Sequence, residues 1–151
     1  MTAFQAQEAQ AYAEILNLEA RYAKCWDQAD GDGWAGVFTP DGVFEIAQVG
    51  DREPLLVRGH AALAAFCLDF NSRFIGVHLP SLPCLEFSGD EAKGHLNFHF
   101  TAIGRLAPAH TMSRTASGHY EVLYRRTEKG WRMAHRLEKP TVSARSEYFD
   151  Y

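Results

Sequence analysis

The stretch GHLNFHFTA, residues 94–102, sets Leu96, Phe98 and Phe100 between His95, Asn97, His99 and Thr101. A period of two marks an extended strand, because successive side chains of a strand point to opposite faces. One face is therefore apolar and the other polar. Sequence alone leaves open which of the two faces water.

Outward from this strand, residues 113–126 and 131–139 read as further strands. Residues 78–87 read as one broken around Pro80 and Pro83, since proline removes a donor from the ladder. Shorter strands are expected over 43–49 and 55–58, the first after the turn signal Thr39-Pro40-Asp41-Gly42. Long strands that follow one another directly favour antiparallel pairing over crossover units. The N-terminal part is helical instead. From about residue 6 to 27, Ile15, Leu18, Tyr22, Cys25 and Trp26 share one face, opposite Asn17, Arg21, Lys24 and Gln28. After the break Asp30-Gly31-Asp32-Gly33, a short helical piece is expected through Trp34, Val37 and Phe38. A further helix is expected over 59–74 through Leu63, Phe66, Cys67 and Phe70.

The expected fold class is α+β: one domain over 1–151, cone-shaped and barrel-like. Its strongly curved, mixed or antiparallel sheet would be wrapped by the N-terminal helices around a pocket. Residues 141–151 read as a tail, with Tyr148, Phe149 and Tyr151 available to cover a pocket mouth or an interface.

Composition narrows the function. A chain of 151 residues with 46% hydrophobic and 13% aromatic residues builds a substantial core rather than staying disordered. Net charge is −4 with scattered positive residues, which argues against nucleic acid. No apolar run is long enough to cross a bilayer, and MTAFQAQEAQ does not resemble a signal peptide. Cys25, Cys67 and Cys84 are too widely spaced for a CxxC pair, so free thiols in a reducing, cytoplasmic compartment are expected. No metal is expected either. His95 and His99 would not converge on a strand, and the run Asp27 to Gly33 puts Phe38 where a calcium loop needs glutamate. With no GxGxxG, GxxxxGK or GxSxG motif, no cofactor is expected.

The acids sit in YAKCWDQAD, residues 22–30, where Asp27 and Asp30 accompany Tyr22 and Trp26. His78, in GVHLPSLPCLEF, becomes a candidate base if an acid holds its other ring nitrogen, which selects the tautomer. Asp27 and Asp30 both remain open for that role. Asn97 and His99 become substrate contacts if the polar row of their strand faces the helices. Arg114 is available to an anionic group.

The order of LEARYAKCWDQAD, VFTPDGVFEI, GHAALAAF, GVHLPSLPCLEF and HYEVLYRRTEKGWRMAHRL resembles the SnoaL-like group of the nuclear transport factor 2-like superfamily, over about residues 8–139. The resemblance implies a deep pocket between helices and sheet. It also implies kinship with cofactor-free lyases such as scytalone dehydratase, bile-acid dehydratase and hexachlorocyclohexane dehydrochlorinase. In these an aspartate late in the first helix pairs with a histidine at the start of the long strands, positions that Asp27 and His78 match. Tyr22 resembles a pocket tyrosine, and His99 lies near a second family histidine. The resulting expectation is a dehydratase-type elimination on a small, hydroxylated, largely apolar cyclic substrate. His78, Asp27 and Tyr22 would be catalytic; Asn97, His99, Trp26, Asp30, Arg114 and Phe66 would bind substrate. Isomerase, epimerase or cyclase chemistry and a non-catalytic binding or subunit module stay open beside it. A homo-oligomer, dimer or trimer, is the expected state.

Overall fold

A computed structural model describes residues 3–149, with side chains from residue 6 onward. The first helix, α1 (Ala3–Asp27), carries its apolar arc inward, where Ile15, Leu18, Tyr22 and Trp26 are buried. A short helix, α2 (Gly31–Ala35), follows at once. Asp30 caps it, its Oδ1 accepting the Gly33 N–H at 2.9 Å. A Cβ at Gly33 would fall on the Asp30 carboxylate and displace the cap. Next come β1 (Phe38–Ile46), β2 (Leu55–Arg58) and α3 (His60–Asn71). The strands β3 (Ile75–Pro80), β4 (Cys84–Ser88), β5 (Glu91–Ala107), β6 (His110–Thr127) and β7 (Gly130–Phe149) complete the chain.

The seven strands form one mixed sheet in the order β2-β1-β7-β6-β5-β3, with β4 also pairing β5. Only β1 and β7 run parallel; the other pairs are antiparallel. The expectation of a strongly curved, cone-shaped, barrel-like sheet is overturned. β2 ends one side of the sheet and β3 and β4 end the other, with no pairing between the two edges, so the sheet stays open. Long strands do not by themselves impose closure: β5, β6 and β7 accommodate their length in long ladders that run side by side. The α+β class with helices packed on a mixed sheet remains.

Three local differences share one cause, long-range pairing. Phe38 opens β1 rather than ending a helix, and the Thr39–Gly42 turn signal becomes an irregularity inside β1 where its register on β7 shifts. Residues 141–149, expected as a tail, continue β7, with Phe149 opposite His110. Tyr148 and Phe149 are therefore exposed strand residues; Tyr151 lies outside the described residues.

Alternation on β5 resolves as apolar inward: Leu96 and Phe98 are buried against the helices, while His95, Asn97 and His99 are exposed. Trp26 of α1, Trp34 of α2 and Leu63 of α3 belong to the same buried apolar cluster. Each fully buried large aliphatic side chain in this layer contributes about 1.5–3 kcal/mol relative to exposure. One charged pair crosses the same layer: Arg136 Nη1 donates to both Glu19 oxygens, at 2.8 and 2.9 Å. Tyr124 donates its hydroxyl to Glu19 as well. The guanidinium lies between the Tyr22 and Tyr120 rings, 3.9 and 3.7 Å from their centroids.

Candidate active site

Asp27 is the last residue of α1, where the helix passes the edge strand β3. An edge strand leaves outward N–H groups without a strand partner, and Asp27 takes one of them. Its Oδ2 accepts the His78 backbone N–H at 3.0 Å, and its Oδ1 lies 2.7 Å from His78 Nδ1. Two bonds from one carboxylate fix both the strand position and the ring. Asp27 as acceptor makes Nδ1 the protonated ring nitrogen and leaves Nε2 with its lone pair. The His78 ring lies among Tyr22, Trp26 and Phe100, with centroids at 5.9, 6.0 and 4.4 Å. Burial in this aromatic cage lowers the His78 pKa below its ordinary 6.5, although the Asp27 hydrogen bond and charge pull it upward. The imidazole is thus held neutral and competent to accept a proton at neutral pH.

His78 borders a cavity of about 730 Å³, the size of a site for a small organic molecule. Tyr22, Trp26, Phe66, Phe70 and Phe100 give it an aromatic wall. Tyr120 and Glu138, cross-strand partners on β6 and β7, add polar groups to the same lining. The Tyr120 and Tyr22 hydroxyls are neighbours, yet Tyr120 has no well-aligned partner, and neither does the buried Trp26 Nε1. Burial raises the pKa of both tyrosines, so each remains a neutral O–H donor. Burial also pushes the Glu138 carboxyl up to about 7, against the lowering effect of Arg136. Glu138 therefore exchanges a proton near neutrality.

The structure brings His78, Asp27, Tyr22, Trp26, Phe66 and Arg114 to this cavity or directly behind it. Asn97 and His99 are corrected. Both lie on the exposed face of β5, opposite the cavity, and His99 Nδ1 pairs with Ser117 Oγ at 2.8 Å. The helices need an apolar partner, so the row of Leu96, Phe98 and Phe100 turned toward them. Asp30 is corrected too: it is exposed and caps α2 instead of reaching His78 or substrate. Tyr120 and Glu138 were missed. Their signal was weak but present, because Arg136 and Glu138 sit two apart in a strand whose neighbours bury aromatics. Among the described residues no group of histidines, cysteines and acids is arranged to hold a metal. No helix among them is long and apolar enough to cross a membrane.

The packing of helices on a mixed sheet agrees with the comparisons. The SnoaL-like domain family matches residues 7–137, and the chain belongs to that family. An aspartate-to-asparagine variant of a function-unknown protein from Mycobacterium tuberculosis is 28% identical. The match covers 93% of this chain and 76% of that one, with a TM-score of 0.75. A provisionally named aromatic ring hydroxylase from Novosphingobium aromaticivorans is 25% identical over 92% of this chain and 94% of its own, with a TM-score of 0.78. A type 2 hexachlorocyclohexane dehydrochlorinase has a TM-score of 0.77 at 14% identity, covering 94% of this chain and 93% of that one, which establishes a shared fold alone. No curated protein matches the sequence significantly.

Proposed function

We propose that the protein is a cofactor-independent acid–base lyase that removes water from a small, hydroxylated, largely apolar cyclic carbonyl compound. The observation that carries this reading is the Asp27–His78 pair at 2.7 Å, with the imidazole bordering an aromatic cavity. His78 Nε2 takes the proton from the carbon next to the carbonyl, and Asp27 stabilises the imidazolium that forms. The C–H electron pair moves into the enolate, whose oxygen accepts hydrogen bonds from the Tyr22 and Tyr120 hydroxyls. The enolate then re-forms the carbonyl as the C–O bond of the leaving hydroxyl breaks. Glu138, protonated up to about pH 7, gives that oxygen its proton, and water departs. The proton on His78 returns to Glu138 through solvent. Tight positioning in a mostly apolar space supplies what a metal would supply elsewhere.

Isomerisation, epimerisation and cyclisation begin with the same proton abstraction. Glu138, a second group able to donate a proton in the same cavity, suits the leaving hydroxyl of an elimination.

The test is a panel of cyclic β-hydroxy ketones, with enone formation followed by ultraviolet absorbance. Wild-type protein should dehydrate at least one member above the solvent rate, and His78→Ala should slow it at least about a hundredfold. Equal rates for the two proteins, with unchanged circular dichroism, would reject the assignment.

A further inference from the structure

One end of the cavity has a chemistry the elimination does not use. Arg52, Arg73, Arg114 and Arg145 all border it, in a chain whose net charge is −4. Arg73 is paired with Asp69 at 2.7 Å, and Arg145 approaches Glu147 only to 4.0 Å. Arg114 makes no ion pair among the described residues and lies over the Phe74 ring, 5.4 Å from its centroid. Strand register makes this arrangement costly, since Arg114 of β6 stands directly opposite Arg145 of β7. Like charges in directly opposed positions destabilise a sheet. Burial, then Arg52, Arg73 and Arg145, all lower the Arg114 pKa, so the guanidinium bears uncompensated repulsion.

The same register measures how far this charge lies from the base. His78 pairs with Phe100, Phe100 with Ala116, and Ala116 with Ser143. Arg114 stands two strands over and two residues along, and Arg145 one strand further, so at the backbone they lie about 12 and about 16 Å from His78. An anionic oxygen group is the partner that relieves the repulsion, because guanidinium forks donate to carboxylate or phosphate oxygens in pairs.

Resting on the lyase reading of the His78 end, we infer that the substrate is an anion, with its carboxylate or phosphate at the arginine end of the cavity, away from the reacting carbon. Arg114 and Arg145 bind that group, and Arg52 and Arg73 add to the positive field at the same end. The rim thereby sets specificity without touching the reacting atoms.

Titration calorimetry on the intact protein with cyclohexanecarboxylate, cyclohexyl phosphate and cyclohexanol tests this. At low salt, at least one anion should bind about tenfold or more tightly than the alcohol. The tighter of the two anions identifies the group. In the Arg114→Gln/Arg145→Gln variant that preference should vanish while cyclohexanol binding stays. Arg114→Gln alone should raise the melting temperature while weakening anion binding, an outcome that a purely structural arginine would reverse. Equal binding of all three compounds, or a preference that survives the double variant, overturns the inference. His78→Ala separates the two readings, since it should lose turnover yet keep the anion preference. Lost turnover in His78→Ala, with no anion preference in either protein, removes the rim and leaves the base standing.

Discussion

Two histidine–carboxylate contacts in this molecule are nearly the same in length and differ in everything else. His78 meets Asp27 at 2.7 Å, with side-chain exposures of 8% and 21%; His135 meets Glu45 at 2.9 Å, at 41% and 30%. The first borders the aromatic cavity, with its remaining nitrogen unclaimed among the described residues. The second lies on the other side of the sheet, where water screens both partners. Contact distance therefore does not define a catalytic pair. What separates them is desolvation, which tunes the ring, and a space in which a substrate can reach it.

The sharpest break of the buried-versus-exposed contrast falls on a third pair. Glu19→Ala leaves Arg136 buried without its carboxylate and should cost about 3–5 kcal/mol in urea unfolding. Asp69→Ala, which removes the exposed partner of Arg73, should cost at most about 1 kcal/mol. Equal costs would show that burial is not what distinguishes the pairs.

Next in size is turnover. His78→Ala should lower it at least about a hundredfold, whereas His135→Ala should leave it within about twofold. Asp27→Asn should lower it roughly tenfold to a hundredfold, because an amide does not stabilise the imidazolium.

The pH dependence refines the same comparison. Turnover should fall on the acid side below pH 6.5, where His78 protonates, and on the alkaline side near 7, where Glu138 loses its proton. Asp27 raises the His78 pKa, so Asp27→Asn should move the acid limb to lower pH. Glu138→Gln should abolish the alkaline limb and lower the maximum. A profile with one limb only would remove Glu138 from the chemistry.

The smallest effect is on stability. Folded Glu138 holds its proton up to about pH 7, while an ordinary glutamate releases it near 4.5. Between those values the folded state binds more protons than the unfolded one, so stability contributed here falls as pH rises. Glu138→Gln should therefore be neutral at pH 4 and stabilising by roughly 1–3 kcal/mol at pH 8. A benefit that does not change with pH would contradict the buried carboxyl.

Much of this was legible before any coordinates. Residues 55–58 as a strand, the break between Pro80 and Pro83, and a helix ending at Asp27 all follow from local rules of period and proline. The proximity of Asp27 and His78 was legible only through a family resemblance, since 51 residues separate them in the chain. Without that resemblance, choosing Asp27 over Asp30 was not legible. The two lie three apart at a helix end, and only the capping of α2 shows that Asp30 is already engaged.

The amino-acid sequence by itself determined the elements, because side-chain periodicity and backbone restrictions act over a few neighbouring residues. Tertiary structure alone decided that the sheet stays open, that Asn97 and His99 face away from the cavity, and that residues 141–149 extend β7. It also brought Tyr120, Glu138 and the arginines to the cavity lining. Those outcomes depend on which faces meet and in what register, quantities set by packing free energy between segments far apart in the chain.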